Sequence, residues 1–174
     1  MRAGGETPGP ASAAPPRVRA ALAEDIEAVV RLWIDLIEYH RSLDPDYPPL
    51  PNLRETLRAE ARRGVDMEHC EVFVALSSSD GAADGLVGFL FAELEPRPAG
   101  VPVPPTGQIH ELWVDPERRR AGVGRALVDE ADAFFAARGS ARVSVRVEEP
   151  NEAGREFWRR LGFRDRARIM ERIR

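Results

Sequence analysis

The amino-acid sequence predicts an α+β fold in which helices flank a mixed, mostly antiparallel twisted sheet. Two observations lead to this prediction. Apolar residues recur at helical spacing in some segments and form strand-like runs in others, in the order β-α-α-β-β-β-α-β-α-β. A meander of strands followed by a right-handed β-α-β crossover produces a mixed sheet covered by helices.

The first part of the domain contains a short strand and two helices. The strand begins near residue 18. Large apolar residues recur at helical spacing between residues 23 and 40, and acidic residues stand in the first turn of this predicted helix. A second helix is expected over residues 52–64, with Asn52 as its N-cap and Gly64 just after its end.

The second part of the chain predicts strands, a long helix and a return to the sheet. Turn-forming residues separate the segments, and glycines follow both predicted helices. The predicted bounds are 70–77, 85–94 and 107–114 for the strands of the meander, 123–139 for a helix, 141–147 for a strand, 151–163 for a helix and 166–174 for a final edge strand.

Composition and charge narrow the function. The net charge of −4 gives no general attraction to nucleic acid or to an anionic membrane. The only cysteine, Cys70, cannot form an internal disulfide or bind zinc alone, so we expect a buried apolar side chain and no metal site. No apolar run has the length of a membrane span or the character of a signal peptide, so a cytoplasmic protein is expected.

The N-terminal residues differ from the rest. Residues 1–16 are mostly Gly, Pro and Ala, and such a segment buries too little apolar surface to offset its ordering entropy. We therefore expect a flexible tail over residues 1–16 and a single domain over residues 17–174.

A group of arginines and glycines stands between the third strand of the meander and the following helix. Arg118, Arg119 and Arg120 precede Gly122 and Gly124, and an apolar helix pattern starts at once. The first amides of a helix lack intrahelical partners, and the helix dipole adds positive charge there. Glycines allow a ligand to approach the main chain, so the pattern predicts a cradle for a phosphate or pyrophosphate.

Two common nucleotide motifs do not fit this bend. A dinucleotide fingerprint requires a third glycine where Leu127 stands, and a P-loop requires Lys and Ser or Thr where Arg125 and Ala126 stand. A tight strand-to-helix turn with merely solvated arginines remains the alternative.

Three segments resemble the GNAT superfamily of N-acetyltransferases. Residues 114–131 are similar to its acyl-CoA-binding motif, Arg/Gln-x-x-Gly-x-Gly/Ala, which Arg119, Gly122 and Gly124 match. Residues 147–163 resemble the second signature, and residues 18–33 resemble the first strand and helix of the family. The resemblance implies the acyl-CoA N-acyltransferase fold.

The resemblance also implies acetyl-CoA as co-substrate. Backbone amides between Arg119 and Ala126 would hold its pyrophosphate, and the main chain of Leu112 and Val114 would pair with the pantetheine arm. Asn151 would contact that arm, although a helix N-cap is an alternative role. The implied cofactor-binding residues are Leu112, Val114, Arg119, Arg120, Gly122, Val123, Gly124, Arg125 and Asn151.

The implied reaction is direct attack of a primary amine on the thioester in a ternary complex, which requires a base. His110 and Glu111 are the candidates. Strand alternation predicts that they face opposite sides of the sheet, with His110 on the side of Gln108 and Leu112. His110 is preferred because imidazole titrates near neutral pH, and Glu111 becomes the base if a bulge shifts the register.

The leaving thiolate and the acceptor raise further alternatives. The family tyrosine seven residues after Asn151 is replaced by Trp158, which is a poor acid. Either another group protonates the thiolate, or the chain is a non-catalytic acyl-CoA-binding or sensor module, or an interaction domain. The acceptor, a small molecule or peptide amine, would contact residues 38–51 and 95–105, where Glu38, Asp44 and Asp46 attract cations. A monomer or homodimer is expected.

Overall fold

The computed structural model describes residues 16–47, 51–77, 85–95, 104–170 and 172. The predicted tail, residues 1–16, therefore lies outside the described residues except for Pro16. The connection between the first two strands of the meander and most of the predicted loop 95–105 also lie outside them. Within the described part, no helix is both long and apolar enough to cross a bilayer.

The described residues form five strands and four α-helices. Their order agrees with the predicted order up to the last helix. The elements are β1 Arg17–Ala20, α1 Ile26–Leu43, α2 Leu53–Asp66, β2 Cys70–Leu76, β3 Leu86–Glu95, β4 Thr106–Val114, α3 Val123–Ala137, β5 Arg142–Val145 and α4 Glu152–Arg160.

The strands form one sheet in the order β1-β2-β3-β4-β5. The pairs β1–β2, β2–β3 and β3–β4 are antiparallel, and β4–β5 is parallel. The parallel pair is joined through α3, as a right-handed crossover requires. This topology confirms the mixed, mostly antiparallel α+β fold.

The predicted final strand, residues 166–174, is wrong for the part that the structure describes. Residues 166–170 adopt no strand and are exposed, and Met170 is almost fully accessible to solvent. An edge strand needs a face to bury, and these residues cover none of the core. Residues 171, 173 and 174 lie outside the described residues.

Two predicted helix-end signals take other roles. Gly64 lies inside α2, where a Cβ would stand 2.5 Å from Val72 Cγ2, so close packing on β2 requires glycine there. Asn52 precedes α2 but has left-handed backbone angles, and its side chain does not cap the helix.

The sheet separates two apolar cores. One lies under α1 and α2, with Trp33, Phe89 and Phe91 in ring contact. The other lies under α3 and α4 and includes Leu127 and Phe135, both buried to within 1%. Because the strands have core on both faces, only the sheet's edge and its strand ends remain for a site.

A buried ion pair fixes the start of α1. Asp25 is fully buried, and its carboxylate accepts hydrogen bonds from the Arg19 guanidinium at 2.5 and 3.0 Å and from the Leu22 amide at 2.7 Å. Burial alone would raise the pKa of Asp25, but these donors hold it below its ordinary value.

Candidate active site

The predicted bend lies between β4 and α3. A short 3₁₀ turn over Pro116–Arg118 follows β4, and the chain then enters α3 through Gly122. No side chain caps α3, and the first α-helical bond runs from the Ala126 amide to the Gly122 carbonyl at 3.0 Å. The amides of residues 122–125 therefore have no acceptor among the described residues, which leaves a set of aligned donors for an anion.

The two glycines of the bend have different structural reasons. Gly122 has a φ of 83°, which side-chain-bearing residues rarely adopt, and open space lies beside it. At Gly124 a Cβ would stand 3.2 Å from two ring carbons of Phe157, so its glycine permits α3 to pack on α4. Arg120 also has a positive φ, 68°, which gives the bend a curled main chain.

The arginines of the bend do not act alike. Arg119 turns back along β4, where its Nε donates to the Val114 carbonyl at 3.0 Å. Its guanidinium lies 4.5 Å from the ring centroid of Trp113 and 5.5 Å from that of Tyr39. Arg118 and Arg120 are exposed. Arg125 is also exposed and forms an ion pair with Asp129 at 3.5 Å, along α3.

The sheet opens beside this bend. The β4–β5 pairing ends at Ile109 and Val145, so residues 110–114 of β4 have no strand partner on that side. Leu112 and Val114 lie in this unpaired stretch, and Asn151 lies across the opening at the start of α4. An extended ligand held at the bend can therefore run along the free edge of β4.

A bulge in β4 changes the predicted orientation of the candidate bases. Phe91 pairs with Glu111 and Ala92 pairs with Ile109, which leaves His110 without a counterpart. His110 contacts Glu93 and the ring of Phe91, so it faces α1 and α2, as Glu111 does. The prediction of opposite faces is therefore wrong, as is the shared face of His110 and Leu112, because the extra residue resets the alternation.

Glu111 lies in an environment that favours its protonated form. Burial raises its pKa, a hydrogen bond from the Trp33 side chain lowers it, and the nearby Glu148 carboxylate raises it, with a result of about 7. Glu148 itself pairs with Arg146 at 3.3 Å. A half-buried carboxyl that titrates near neutrality can accept a proton from an amine.

His110 belongs to a different polar cluster. Its Nε2 lies 2.9 Å from the Glu93 carboxylate, which also accepts a bond from Arg63 at 3.0 Å. Burial would raise the pKa of Glu93, but Arg63 and His110 hold it below its ordinary value. His110 is thus the satisfied strand histidine that sequence reasoning weighed as its alternative role.

The same cluster contains three possible metal ligands. Donor atoms of His69, Cys70 and Glu93 lie within 4.8 Å of one another. The Arg63 guanidinium already provides a cation there, with a bond to Cys70 Sγ at 3.1 Å in addition to its bond to Glu93. Burial raises the pKa of Cys70 to about 11, which disfavours the thiolate that a metal needs.

Asn151 and Trp158 take defined places in α4. The Asn151 Oδ1 accepts from the Gly154 amide at 2.8 Å, which is an N-cap bond, and it lies 3.4 Å from the Tyr39 hydroxyl. Trp158 is 7% exposed, with its ring centroid 5.0 Å from those of Phe157 and Phe163. Trp158 therefore belongs to the core and reaches no reacting group.

Sequence reasoning missed several residues of the opening. Tyr39, Tyr47 and Glu148 had no motif to mark them, although both tyrosines lie in the predicted acceptor segment. Burial, Glu111 and Glu148 together raise the pKa of Tyr47, so these groups share one region. Among the acids named from sequence, Asp44 accepts a bond from the Asp46 amide at 2.9 Å and thus stabilises its own turn.

An open α+β sheet with aligned free amides at the end of its central strand defines a class of acyl-group transferases. The chain matches the model of the acetyltransferase (GNAT) family over residues 33–163. The chain therefore belongs to the GNAT acetyltransferase family.

Curated relatives match part of the chain. A mycothiol acetyltransferase of Thermobispora bispora is 36% identical over 81 residues, which are 47% of this chain and 27% of that protein. An uncharacterized N-acetyltransferase of Methanocaldococcus jannaschii is 31% identical over 90 residues, 45% of this chain and 40% of that protein. The chain thus spans less than half the length of these relatives.

Solved structures share the fold over nearly the whole chain. A tetramutant of the BH1408 protein from Bacillus halodurans has a TM-score of 0.77 at 23% identity and covers 90% of this chain and 99% of its own. The aminoglycoside N-acetyltransferase AAC(6')-Iy in complex with CoA has a TM-score of 0.67 at 16% identity and covers 91% and 98%.

Proposed function

We propose that the chain transfers an acetyl group from acetyl-CoA to a primary amine by direct attack in a ternary complex. The observation that carries this proposal is the set of partnerless amides at residues 122–125, directly beside the unpaired edge of β4. Family membership supports the acetyl donor. The reaction would take place in the cytoplasm, where the single free cysteine is suited to a reducing environment.

The residues present fit an acyl-CoA. The amides of residues 122–125 would bind the diphosphate, and the free main chain at Leu112 and Val114 would pair with the pantetheine arm. Asn151 can donate its amide to that arm while its oxygen caps α4. Arg119 would then release the Val114 carbonyl and turn toward the diphosphate, and the exposed Arg120 and Arg125 would add positive charge.

Glu111 is the proposed base. Its carboxyl titrates near neutrality and faces the region that contains Tyr47 and Glu148. The amine nitrogen attacks the thioester carbonyl carbon while its proton passes to Glu111, directly or through one water. An unpaired β4 amide beside Leu112 would polarise the carbonyl oxygen.

The acceptor side is acidic. Glu111 and Glu148 interact with each other and with Tyr47, so a cationic amine gains favourable charge there. A small molecule or a peptide amine can provide this cation. A monomer or a homodimer is compatible with the proposal.

The non-catalytic alternative has one observation in its favour. Trp158 fills the core at the position where the family has a tyrosine acid, so α4 provides no proton donor for the thiolate. Under this alternative the chain binds acyl-CoA and acts as a sensor.

An amine panel distinguishes the two functions. The purified chain is incubated with acetyl-CoA and a mixture of diamines, amino sugars and peptides, and mass spectrometry searches for a gain of one acetyl group. Acetylated product supports the enzyme. CoA binding by calorimetry without any product supports the sensor, and the absence of both refutes the two proposals together.

A further inference from the structure

We propose that Tyr39 of α1 protonates the thiolate that leaves in the transfer reaction. This inference rests on the proposed function, because it assigns one further catalytic residue to that reaction. The thioester carbon can lose its thiolate without help, but a positioned acid lowers the barrier. Tyr39 brings a hydroxyl to the opening from a different element than the one that the family motif indicates.

Contacts on two sides hold the Tyr39 side chain across the opening. Its ring lies 5.6 Å from the Trp113 ring, centroid to centroid, and the Arg119 guanidinium covers both rings. Its hydroxyl lies 3.4 Å from Asn151 Oδ1 at the start of α4. Tyr39 therefore reaches from β4 to α4 over the free edge along which the arm would lie.

The position of Tyr39 along β4 suits the sulfur atom. An arm that starts at the bend after Val114 and points toward the last β4–β5 pair passes Trp113 before it reaches Glu111. Two residues of strand span about 7 Å. With the amine at Glu111 and the carbonyl carbon beside it, the sulfur lies toward the bend, on the Tyr39 side.

Other acids in the described residues do not reach this point. The chain has two tyrosines, and Tyr47 lies with Glu111 and Glu148 on the acceptor side. The Cys70 thiol is buried and bonded to Arg63. Trp158 is enclosed by Phe157 and Phe163.

The proposed step balances without an added reactant. The amine nitrogen forms the new C–N bond, the C–S bond breaks, and the phenol proton of Tyr39 passes to sulfur. The amine proton taken by Glu111 then returns through water to the Tyr39 phenolate. The products are the amide and the free thiol of CoA.

The test compares Tyr39→Phe with the wild type on two donors. One donor is acetyl-CoA, and the other is its analogue with oxygen in place of sulfur, whose alkoxide leaving group is more basic and depends more on an acid. We expect Tyr39→Phe to lower kcat by about 100-fold with acetyl-CoA and by more with the oxygen ester. The KM for acetyl-CoA should change by less than about threefold.

Matched variants separate this role from positioning. Tyr47→Phe removes the same hydroxyl from the acceptor side and should raise the KM of the amine with an equal effect on both donors. If Tyr39→Phe instead weakens CoA binding and lowers both donor rates equally, Tyr39 only positions Asn151 and the inference is overturned. Unchanged kcat in Tyr39→Phe overturns it as well.

The proposed function is tested by the wild type in the same assay. Wild-type chain that binds CoA but acetylates no amine contradicts both proposals. Active wild type together with fully active Tyr39→Phe contradicts only the assignment of Tyr39.

Discussion

At the scale of single residues, Glu111 connects the sequence to the proposed chemistry. The bulge turns it toward α1, where burial and Glu148 bring its pKa to about 7. A base must be ionised to act, so kcat/KM should rise with pH through about 7. Glu111→Gln should lower kcat by about 100-fold to 10,000-fold and remove this rise, measured as a pH–rate profile.

The neighbouring histidine provides the control. His110→Ala removes the preferred candidate of the sequence while the Glu93–Arg63 pair can remain. It should keep the rise through about pH 7 and most of the rate. Loss of the rise in His110→Ala, with Glu111→Gln still active, would transfer the role of base to His110.

The raised pKa of Glu111 also has a consequence for stability. In the unfolded chain this carboxyl ionises at its ordinary value of 4.5, and in the folded chain it stays protonated up to about pH 7. Folded protein therefore loses stability as pH rises from about 4.5 to 7. Glu111→Gln should have a higher Tm than wild type at pH 8 and an equal one at pH 4.

Asp25 has the opposite linkage. Its folded pKa lies below 3.8, so its contribution to stability is present above that pH and is lost as pH falls through the folded value. Asp25→Asn leaves Arg19 unpaired and should lower the free energy of unfolding at pH 7 by about 3–5 kcal/mol, measured by urea titration. The matched variant Glu27→Gln breaks an exposed pair with Arg58 and should change little. Equal effects of the two variants would contradict the structural role of Asp25.

Residue roles were predictable from the sequence where a local pattern determines them. The N-cap at Asn151 and the buried state of Cys70 and Trp158 agree with their sequence contexts. The ranking of His110 above Glu111 did not survive, because a bulge is set by the pairing of β4 with β3 rather than by β4 alone. Tyr39 was missed because its importance depends on contacts with Trp113 and Asn151, both distant in sequence.

At the scale of elements, the bend between β4 and α3 depends on the packing of α4. The ring of Phe157 occupies the space that a Cβ on residue 124 would need. Gly124→Ala should therefore lower the free energy of unfolding by about 1–3 kcal/mol and displace the start of α3, with weaker CoA binding as a result. Thermal unfolding and calorimetry measure the two effects.

A second substitution tests the stated cause. Phe157→Leu in the Gly124→Ala background gives the new methyl group room and should restore part of both losses. If the double variant is simply the sum of two destabilisations, the contact with Phe157 is not the reason for glycine at position 124.

The elements themselves were largely predictable, since strongly periodic segments carry their own signal. The order through α4 is confirmed, whereas the strand over residues 166–174 is not formed in its described part. That segment contains few apolar residues, and a strand at a sheet edge depends on partners that a local pattern does not reveal. The parting of β4 from β5 was likewise implied by the family resemblance rather than by any residue pattern.

At the scale of the whole molecule, the two cores explain why the proposed site lies at an edge. Helices cover both faces of the sheet, so the free side of β4 beyond the last pair with β5 is the open main chain near the middle of the molecule. The donor amides lie at one end of this opening, and the acidic acceptor side lies at the other. An anionic donor and a cationic acceptor can thus approach from different directions.

The central claim is that main-chain amides at residues 122–125 bind the diphosphate of CoA, with arginine side chains as auxiliaries. The most direct measurement is a ¹⁵N–¹H correlation titration of the chain with CoA and, separately, with pantetheine, which lacks the diphosphate. We expect the amides of residues 122–125 to shift strongly downfield with CoA and little with pantetheine. If they do not respond to CoA while the arginine guanidinium signals do, the claim is contradicted.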